Sequence, residues 1–449
     1  MAVIELVLRS RRVVTPAGMR AASVGIAGGR IAAVGRWDEP PAGAPLEDLG
    51  ELALLPGAVD THVHVNDPGR KDWEGFETAT RAAAAGGVTT LVDMPLNSIP
   101  ATTSAAALEA KRAAARGRIA VDVGFWGGVV PGNLAELAVL HEAGALGCKA
   151  FLVPSGVEEF PAIDRGELVA AAHEIARLGS VLLVHAEAPD LVGSGEGLSA
   201  EERRSHTAWE RSRPPKAEAT AIGWLAGASA ATGALVHVVH VSSGAGIAAV
   251  RAAQRAGLPL SAETCPHYLT FASEEIPDGG VEWKCAPPIR GVTEREALWR
   301  ALDDRTLALV ASDHSPSPPA TKSGALGDLF AAWGGIASLQ VALAATWTGA
   351  RERGHGLERL AEWTAAAPAR LAGLAARKGA IAPGRDADLA VFDPEASFRV
   401  DVDSLYHRHP MTPYDGRTLR GVVRRTYLRG RIVFDSGDFA APTGELLAR

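Results

Sequence analysis

Eight short apolar runs, each followed by an Ala-rich segment of helical character, limit the fold of this 449-residue chain more than any other feature. The runs are Leu52–Val59, Val88–Met94, Val121–Trp126, Gly147–Leu152, Val181–His185, Leu235–His240, Leu258–Cys265 and Leu307–Ser312. Four of the intervening helical segments are Gly75–Ala85, Ser104–Arg116, Glu167–Leu178 and Ala245–Ala256. This alternation predicts an α/β protein with a parallel (β/α)8 TIM barrel, whose functional sites lie at the carboxyl ends of the strands.

Strand-like segments also occupy both ends of the chain, outside this alternation. They are Leu6–Val14, Ser23–Ala27, Arg30–Val34, Asp388–Phe392, Gly421–Leu428 and Arg431–Phe434. Gly28-Gly29 lies between two of them and is a hairpin turn signal. We therefore predict a barrel over residues 55–378, with residues 1–54 and 379–449 combined in one small β-sandwich.

The composition excludes several classes of partner. The net charge of −7, from 45 basic and 52 acidic residues, lacks the basic excess typical of nucleic-acid binding. No apolar run approaches the length of about 20 residues that a membrane-spanning helix needs, and arginines interrupt the first strand-like segment, so we expect no membrane segment and no signal peptide. Cys148, Cys265 and Cys285 are odd in number and scattered, which favours reduced thiols and a cytoplasmic protein.

Two histidines one residue apart follow the first predicted barrel strand, in Asp60-Thr61-His62-Val63-His64. Residues i and i+2 of a strand point to the same side, so His62 and His64 present two imidazoles together. Two neutral imidazoles directed at one point form half of a transition-metal site. A pair of solvated loop histidines is the alternative interpretation.

Polar residues also end most of the other predicted strands. They are Asn97 after strand two, Lys149 in strand four, His185 and His240 at the ends of strands five and six, and Asp313 after strand eight. Four neutral histidines and one carboxylate are suitable ligands for Zn²⁺ or a similar dication. Their concentration at one end of a barrel favours a metal centre.

Lys149 is the unusual member of this set, because an ammonium group has no lone pair to offer a metal. It lies within the apolar run Gly147-Cys148-Lys149-Ala150-Phe151, where a charged lysine is costly without a partner. A neutral amine captures CO₂ as a carbamate, an anion with two oxygens that two metals stabilise. We therefore expect N6-carboxylysine at position 149; a lysine that extends to the barrel rim is the alternative.

The remaining histidines of the barrel have separate interpretations. His237 lies three residues before His240 on the same strand, so it points to the opposite side and is expected to be packed or hydrogen-bonded. His267 follows strand seven at the functional end and is a candidate contact to substrate. His314 is expected to support its loop.

These residues resemble a known family, the cyclic amidohydrolases, which include dihydroorotase, dihydropyrimidinase (hydantoinase) and allantoinase. The stretches that carry the resemblance are Pro56–His64, Lys149, Val184–Glu187, His240–Ser243 and Ser312–Pro316. Five further motifs are similar to the allantoinase branch: Asp67–Arg70, Trp73–Gly75, Met94–Asn97, Cys285–Arg290 and Ala332–Ile336. The resemblance covers essentially the whole chain and implies a barrel with an attached β-sandwich, a small-molecule substrate and a homotetramer.

The resemblance also implies how two divalent metal ions are held. His62, His64 and Asp313 would bind the first metal, His185 and His240 the second, and a carboxylated Lys149 would bridge both. Zn²⁺ is the first expectation, and Co, Mn, Ni or Fe are compatible with the same ligands.

Two positions distinguish the branches of the family. Asn66 stands where dihydroorotases have an arginine for the substrate carboxylate, and an amide does not replace that guanidinium. Pro154, followed by Ser155, stands where dihydropyrimidinases have a tyrosine. Ala286 replaces a frequent serine. We expect hydrolysis of allantoin to allantoate, in purine-derived ureide breakdown. A dihydropyrimidinase or hydantoinase, a dihydroorotase and a non-catalytic homologue are the alternatives.

The expected mechanism follows from the same assignment. Asp313 would take a proton from the attacking water and deliver it to the departing ring nitrogen. Asn97 and backbone groups near Ala286 and Gly334 would bind the ureide, with Ser155 assisting.

Overall fold

The computed structural model describes residues 3–41, 43–323 and 326–449. Its strands are β1 (Leu6–Thr15), β2 (Gly18–Ala27), β3 (Arg30–Arg36), β4 (Leu46–Asp48), β5 (Ala53–Pro56), β6 (Ala58–Val63), β7 (Val88–Asp93), β8 (Asp122–Phe125), β9 (Gly127–Gly128), β10 (Cys148–Phe151), β11 (Val181–His185), β12 (Leu235–Val238), β13 (Leu260–Thr264), β14 (Leu309–Val310), β15 (Leu389–Arg399), β16 (Thr418–Leu428), β17 (Arg431–Asp435) and β18 (Asp438–Phe439).

Most helices lie between successive barrel strands, and the remaining ones follow the last barrel strand. They are α1 (Phe76–Ala85), α2 (Ala105–Ala115), α3 (Glu136–Glu142), α4 (Arg165–Arg177), α5 (His206–Ser212), α6 (Pro215–Thr232), α7 (Gly244–Arg255), α8 (Pro266–Thr270), α9 (Val292–Asp303), α10 (Pro319–Ser323), α11 (Ala342–Glu352), α12 (Leu357–Ala361) and α13 (Ala367–Leu371). The start of α4 is encoded locally, because Asp164 and Glu167 form a reciprocal capping box there.

Eight parallel strand positions form the barrel, and each is buried along almost its whole length. Strands β6, β7 and β8 pair in order, and β9 to β14 continue the series, with β8 and β9 end to end in the third position. A parallel bridge between Val63 and His314 joins the first position to the chain after the eighth, where the His64 amide donates to the His314 carbonyl at 2.8 Å. The predicted barrel is confirmed.

Both ends of the chain contribute to one further sheet of nine strands, as the sequence predicted. Its order is β18-β17-β16-β15-β5-β1-β2-β3, with β4 beside β1. The β2–β3 hairpin turns at Gly28 and Gly29, whose φ values of 56° and 74° favour glycine. The division of the chain into domains at residues 54 and 378 stays a prediction.

The predicted first barrel strand, Leu52–Val59, is wrong as a single strand. Residues of β5 pair with β1 and β15 in the terminal sheet, whereas β6 pairs with β7 in the barrel. Gly57 separates β5 from β6, and a Cβ there would lie 2.3 Å from Oγ1 of Thr89. An apolar run does not reveal such a break, since both halves are buried.

A buried ion cluster joins the terminal sheet to the barrel. The Lys378 ammonium lies 2.5 Å from Asp122 on β8 and 2.6 Å from Asp388, which directly precedes β15. Arg429, after β16, pairs with Asp122 at 2.6 Å. Asp122, Asp386 and Asp388 are close enough to hold a metal ion, but Lys378 already contacts all three. We therefore interpret the cluster as a structural ion network that holds the terminal sheet to the barrel.

Among the described residues, no helix is both long and apolar enough to cross a membrane.

Candidate metal centre

The barrel brings five of the predicted ligands together at the carboxyl ends of its strands. His62 lies on β6 and His64 directly after it, and their Nε2 atoms are 3.2 and 3.6 Å from Oδ1 of Asp313. The His240 ring centroid lies 5.4 Å from that of His62 and 4.6 Å from that of His185. Histidine nitrogens and a carboxylate oxygen therefore face one volume, which is a donor set suited to divalent transition metals.

Sharp backbone turns place these side chains where strands end. His240 and Asp313 have φ values of 40° and 47°, and Asn97 and Asn66 have 67° and 65°. Non-glycine residues with positive φ are uncommon, and those that occur cluster at functional sites. The side chains of Asn97, His240 and Asp313 line the cavity at the barrel mouth.

Burial and charge keep the ligands in their binding forms. Burial lowers the pKa of His64 to about 4 and holds the pKa of His240 well below its usual value, so both imidazoles are neutral near pH 7. Burial opposes ionisation of Asp313, but the imidazoles of His62, His64 and His240 outweigh it and hold the pKa of that carboxyl well below its usual range. Neutral imidazole and ionised carboxylate are the forms that bind metal.

Lys149 completes the ring of predicted ligands and has an unexplained amine. The side chain is fully buried, and its Nζ has no hydrogen-bond partner among the described residues. Burial lowers the pKa of Lys149 to about 7, which leaves a substantial neutral fraction at neutral pH. A buried polar group without a hydrogen-bond partner requires an explanation, and a ligand or a modification at Nζ would supply that partner. The residues present therefore fit a binuclear metal site.

Glu263 on β13 orients the first histidine, and sequence reasoning missed it. Its Oε1 lies 2.6 Å from Nδ1 of His62, and its Oε2 lies 3.1 Å from Nε2 of His237. Burial disfavours the carboxylate, but the two histidines lower the pKa of Glu263 to about 2. An ionised Glu263 accepts from Nδ1–H of His62 and leaves Nε2 free for a metal. His237 is hydrogen-bonded, as predicted, but its partner Glu263 also contacts His62, so the predicted placement of His237 on the side opposite the site is wrong.

Glu187 has a similar relationship to His185, but through Nε2, which leaves Nδ1 for a metal. Its Oε2 lies 2.6 Å from Nε2 of His185, and Arg213 donates to both carboxylate oxygens. Burial disfavours the charged form, but Arg213 and His185 lower the pKa of Glu187 to about 2. In both cases the signal in the sequence is an acidic residue inside, or directly after, a buried strand.

A cavity of about 340 Å³ opens above these residues. Of the predicted substrate contacts, Asn97, Ser155, Ala286 and Gly334 line it. The Ser155 hydroxyl donates to the Phe160 carbonyl at 2.6 Å, so it is engaged within its own loop.

Three further positions lie in or beside this cavity. Pro154 lines it, whereas Asn66 does not and donates instead to the Pro316 carbonyl at 3.3 Å. His267 does not line the cavity and lies buried near Asp313, without a hydrogen-bond partner among the described residues.

The amidohydrolase family sequence pattern matches residues 53–433. The chain belongs to the amidohydrolase family. It is 52% identical to an allantoinase of Streptomyces avermitilis, over 99% of both chains. It is 42% identical to an allantoinase of Arabidopsis thaliana, over 97% of this chain and 89% of that one. It is also 42% identical to an allantoinase of Saccharomyces cerevisiae, over 90% of this chain and 87% of that one.

Solved structures of this amidohydrolase's relatives share its whole architecture. The L-hydantoinase (dihydropyrimidinase) from Arthrobacter aurescens superposes with a TM-score of 0.93 at 31% identity, over 100% of each chain. The dihydropyrimidinase from Brevibacillus agri superposes with a TM-score of 0.89 at 28% identity, over 99% of each chain. The predicted fold class and the resemblance to cyclic amidohydrolases are confirmed, and the chain is a hydrolase.

Proposed function

We propose that this chain hydrolyses the hydantoin ring of allantoin to give allantoate. The observation that carries the proposal is the 52% identity, over 99% of both chains, to a relative named allantoinase. The hydantoinase and dihydropyrimidinase structures are 28–31% identical at similar coverage. The pocket agrees, because Pro154 occupies the position where a dihydropyrimidinase has its tyrosine.

We propose that two divalent cations bind at the barrel mouth. His62, His64 and Asp313 would hold one and His185 and His240 the other. Lys149 would bridge them as N6-carboxylysine, formed when its neutral amine attacks CO₂ and releases a proton. Its buried, unpartnered Nζ supports this assignment. Zn²⁺ is the first expectation, with Co, Mn, Ni or Fe as alternatives.

The bound cations would supply Lewis acidity, lowering the pKa of a water and polarising the ring carbonyl that it attacks. Asp313 would accept the proton of that water, since its carboxylate is ionised and faces the cavity. It would then return the proton to the ring nitrogen that departs. Asn97 and backbone groups at Ala286 and Gly334 would hold the amide groups of the substrate.

The deciding experiment assays allantoin, hydantoin, dihydrouracil and dihydroorotate side by side, with metal content measured on the same preparation. We expect allantoin to have the highest kcat/KM by at least tenfold. A preference for dihydrouracil or hydantoin would replace the proposal with dihydropyrimidinase activity. Full metal occupancy without turnover of any of the four would contradict cyclic-amide hydrolysis as proposed.

We also propose a cytoplasmic homotetramer. Cys148, Cys265 and Cys285 support a reducing compartment, because all three are buried free thiols. The family resemblance supports the tetramer. Light scattering on the eluting peak of a sizing column tests the oligomeric state, and a mass of one or two chains would contradict it.

A further inference from the structure

Two buried lysines lie on one side of the cavity and differ in how their ammonium groups are used. Lys322 donates to three carbonyl oxygens, those of Gly335, Trp333 and Val281, at 2.8, 3.1 and 3.2 Å. An ammonium has three N–H donors, so this one is saturated by backbone. Lys322 does not line the cavity.

Lys284 lines the cavity and does not use all of its N–H donors. Among the described residues its ammonium has one hydrogen-bond acceptor, the Ala332 carbonyl, and no carboxylate within ion-pair distance. Its Nζ lies 4.5 Å from the ring centroid of Trp209. The residue is 6% exposed and lines the cavity, so whatever fills the cavity, water or a ligand, is the acceptor left for the other two donors. A buried ammonium with unused donors is costly unless another acceptor arrives.

The other cation of this wall is already neutralised. Arg213 also lines the cavity, but its guanidinium is paired with Glu187, which in turn contacts His185. Of the Lys and Arg side chains that line the cavity in the described part of the chain, Lys284 is thus the one without an acidic partner. It is available to a ligand.

We propose that Lys284 is a specificity-determining residue that donates a hydrogen bond to the ureido carbonyl oxygen of allantoin. This inference rests on the proposed function. The ring that reacts must lie against Asp313 and the histidines, which leaves the ureido substituent to reach the cavity wall. Trp209, Phe330 and Trp333 line that wall, and flat aromatic surfaces suit a planar urea group. The contact distinguishes allantoin from hydantoin, which has no ureido group.

The test compares allantoin with hydantoin on the metal-loaded wild type and on Lys284→Met. Hydantoin is followed as a substrate or, where it is not turned over, as a competitive inhibitor. Burial lowers the pKa of Lys284 to about 7, so its amine and its ammonium, both of which donate, are populated at neutral pH. Loss of this hydrogen bond should raise KM for allantoin by about 3- to 100-fold, with little change in kcat. KM or Ki for hydantoin should change less than about threefold, because hydantoin has no ureido group to accept this hydrogen bond.

Lys322→Met is the matched control, because it removes a buried lysine from the same wall without facing the cavity. It should lower the unfolding temperature and change KM for allantoin and KM or Ki for hydantoin by the same factor. An equal rise in KM for allantoin and in KM or Ki for hydantoin in Lys284→Met would show that Lys284 only holds the Ala332 segment in place. That result would overturn the inference.

Acetylation provides a second measurement that uses only the wild-type protein and so does not depend on whether a variant folds. Acetic anhydride labelling of Lys284, read by mass spectrometry, should slow in the presence of allantoate and stay unchanged with hydantoin. Equal labelling with and without allantoate would also overturn the inference. Absence of allantoin hydrolysis by the wild type would instead refute the proposed function, so the two failures are distinguishable.

Discussion

The Nδ1 atom of His62 lies 2.6 Å from Oε1 of Glu263, and both side chains are buried. This contact fixes which nitrogen of His62 carries the proton and aims the other toward Asp313. The first metal position therefore depends on a residue that is not itself a ligand.

Replacing Glu263 with alanine should weaken metal binding. The His62 ring loses its acceptor and its fixed orientation, and such losses typically lower metal affinity by about 10- to 100-fold. Competition with a chelator measures the change. Glu263→Gln is the control, since its amide oxygen still accepts from Nδ1–H and should retain most of the affinity. Unchanged affinity in Glu263→Ala would rule out the orienting role.

Asp313→Asn should separate metal binding from catalysis. The amide oxygen still offers a lone pair to a cation, but the group no longer accepts and returns a proton. We expect kcat to fall by about 10²–10⁴-fold, with much of the metal retained. Steady-state kinetics and elemental analysis on one preparation give both numbers. A near-normal rate would refute the proton-transfer role.

Lys149→Ala should abolish turnover, because the bridging anion is lost. Short carboxylic acids such as acetate or propionate should restore part of the activity by supplying a carboxylate in the vacated space. Asp313→Asn, assayed with the same acids, should show no recovery. A structure of the metal-loaded protein in which Lys149 ends in a bare amine would contradict carboxylation.

The Lys378 cluster should stabilise the junction between the terminal sheet and the barrel. Lys378→Met leaves Asp388 buried without its cation and Asp122 with Arg429 alone, which should lower the free energy of unfolding by about 3–5 kcal/mol. Denaturant titration measures it. Arg177→Met breaks an exposed pair with Glu174 and should cost less than about 0.5 kcal/mol. Similar losses in both variants would refute a special role for the cluster.

Buried neutral histidines should make the metal-free protein acid-labile. Burial lowers the pKa values of His64, His267 and His407 to about 4, whereas an unfolded histidine titrates near ~6.5. Between these values the unfolded chain binds more protons, so stability falls as the pH decreases. Each of these histidines should lower the free energy of unfolding by about 1.5 kcal/mol between pH 6.5 and 5.

Urea unfolding of the metal-free protein at several pH values measures this slope. His407→Leu, outside the metal centre, should reduce the slope by the share of one histidine. A slope identical to that of the wild type would show that folding does not lower the pKa of His407.

Local patterns predicted much of this architecture. Short continuous apolar runs, helical spacing and the Gly28-Gly29 turn are properties of neighbouring residues, so the barrel and the hairpin were accessible from sequence. The break at Gly57 was not, because β5 and β6 are equally apolar and differ only in their partners. Six strand-end ligands were predicted, yet Glu263 and Glu187 were missed, because an acidic residue reveals its partner only after distant strands are adjacent. The environment of Lys284 was inaccessible for the same reason.

The Val63–His314 bridge has a consequence during synthesis. His62 and His64 are translated roughly 250 residues before Asp313, and only closure of the ring between the first and eighth positions brings them together. A ribosome-bound chain that stops short of residue 313 lacks one of the three donors proposed for the first cation. Cation uptake at this position should therefore begin only after the last barrel strand has been added, and it would report that the barrel has closed.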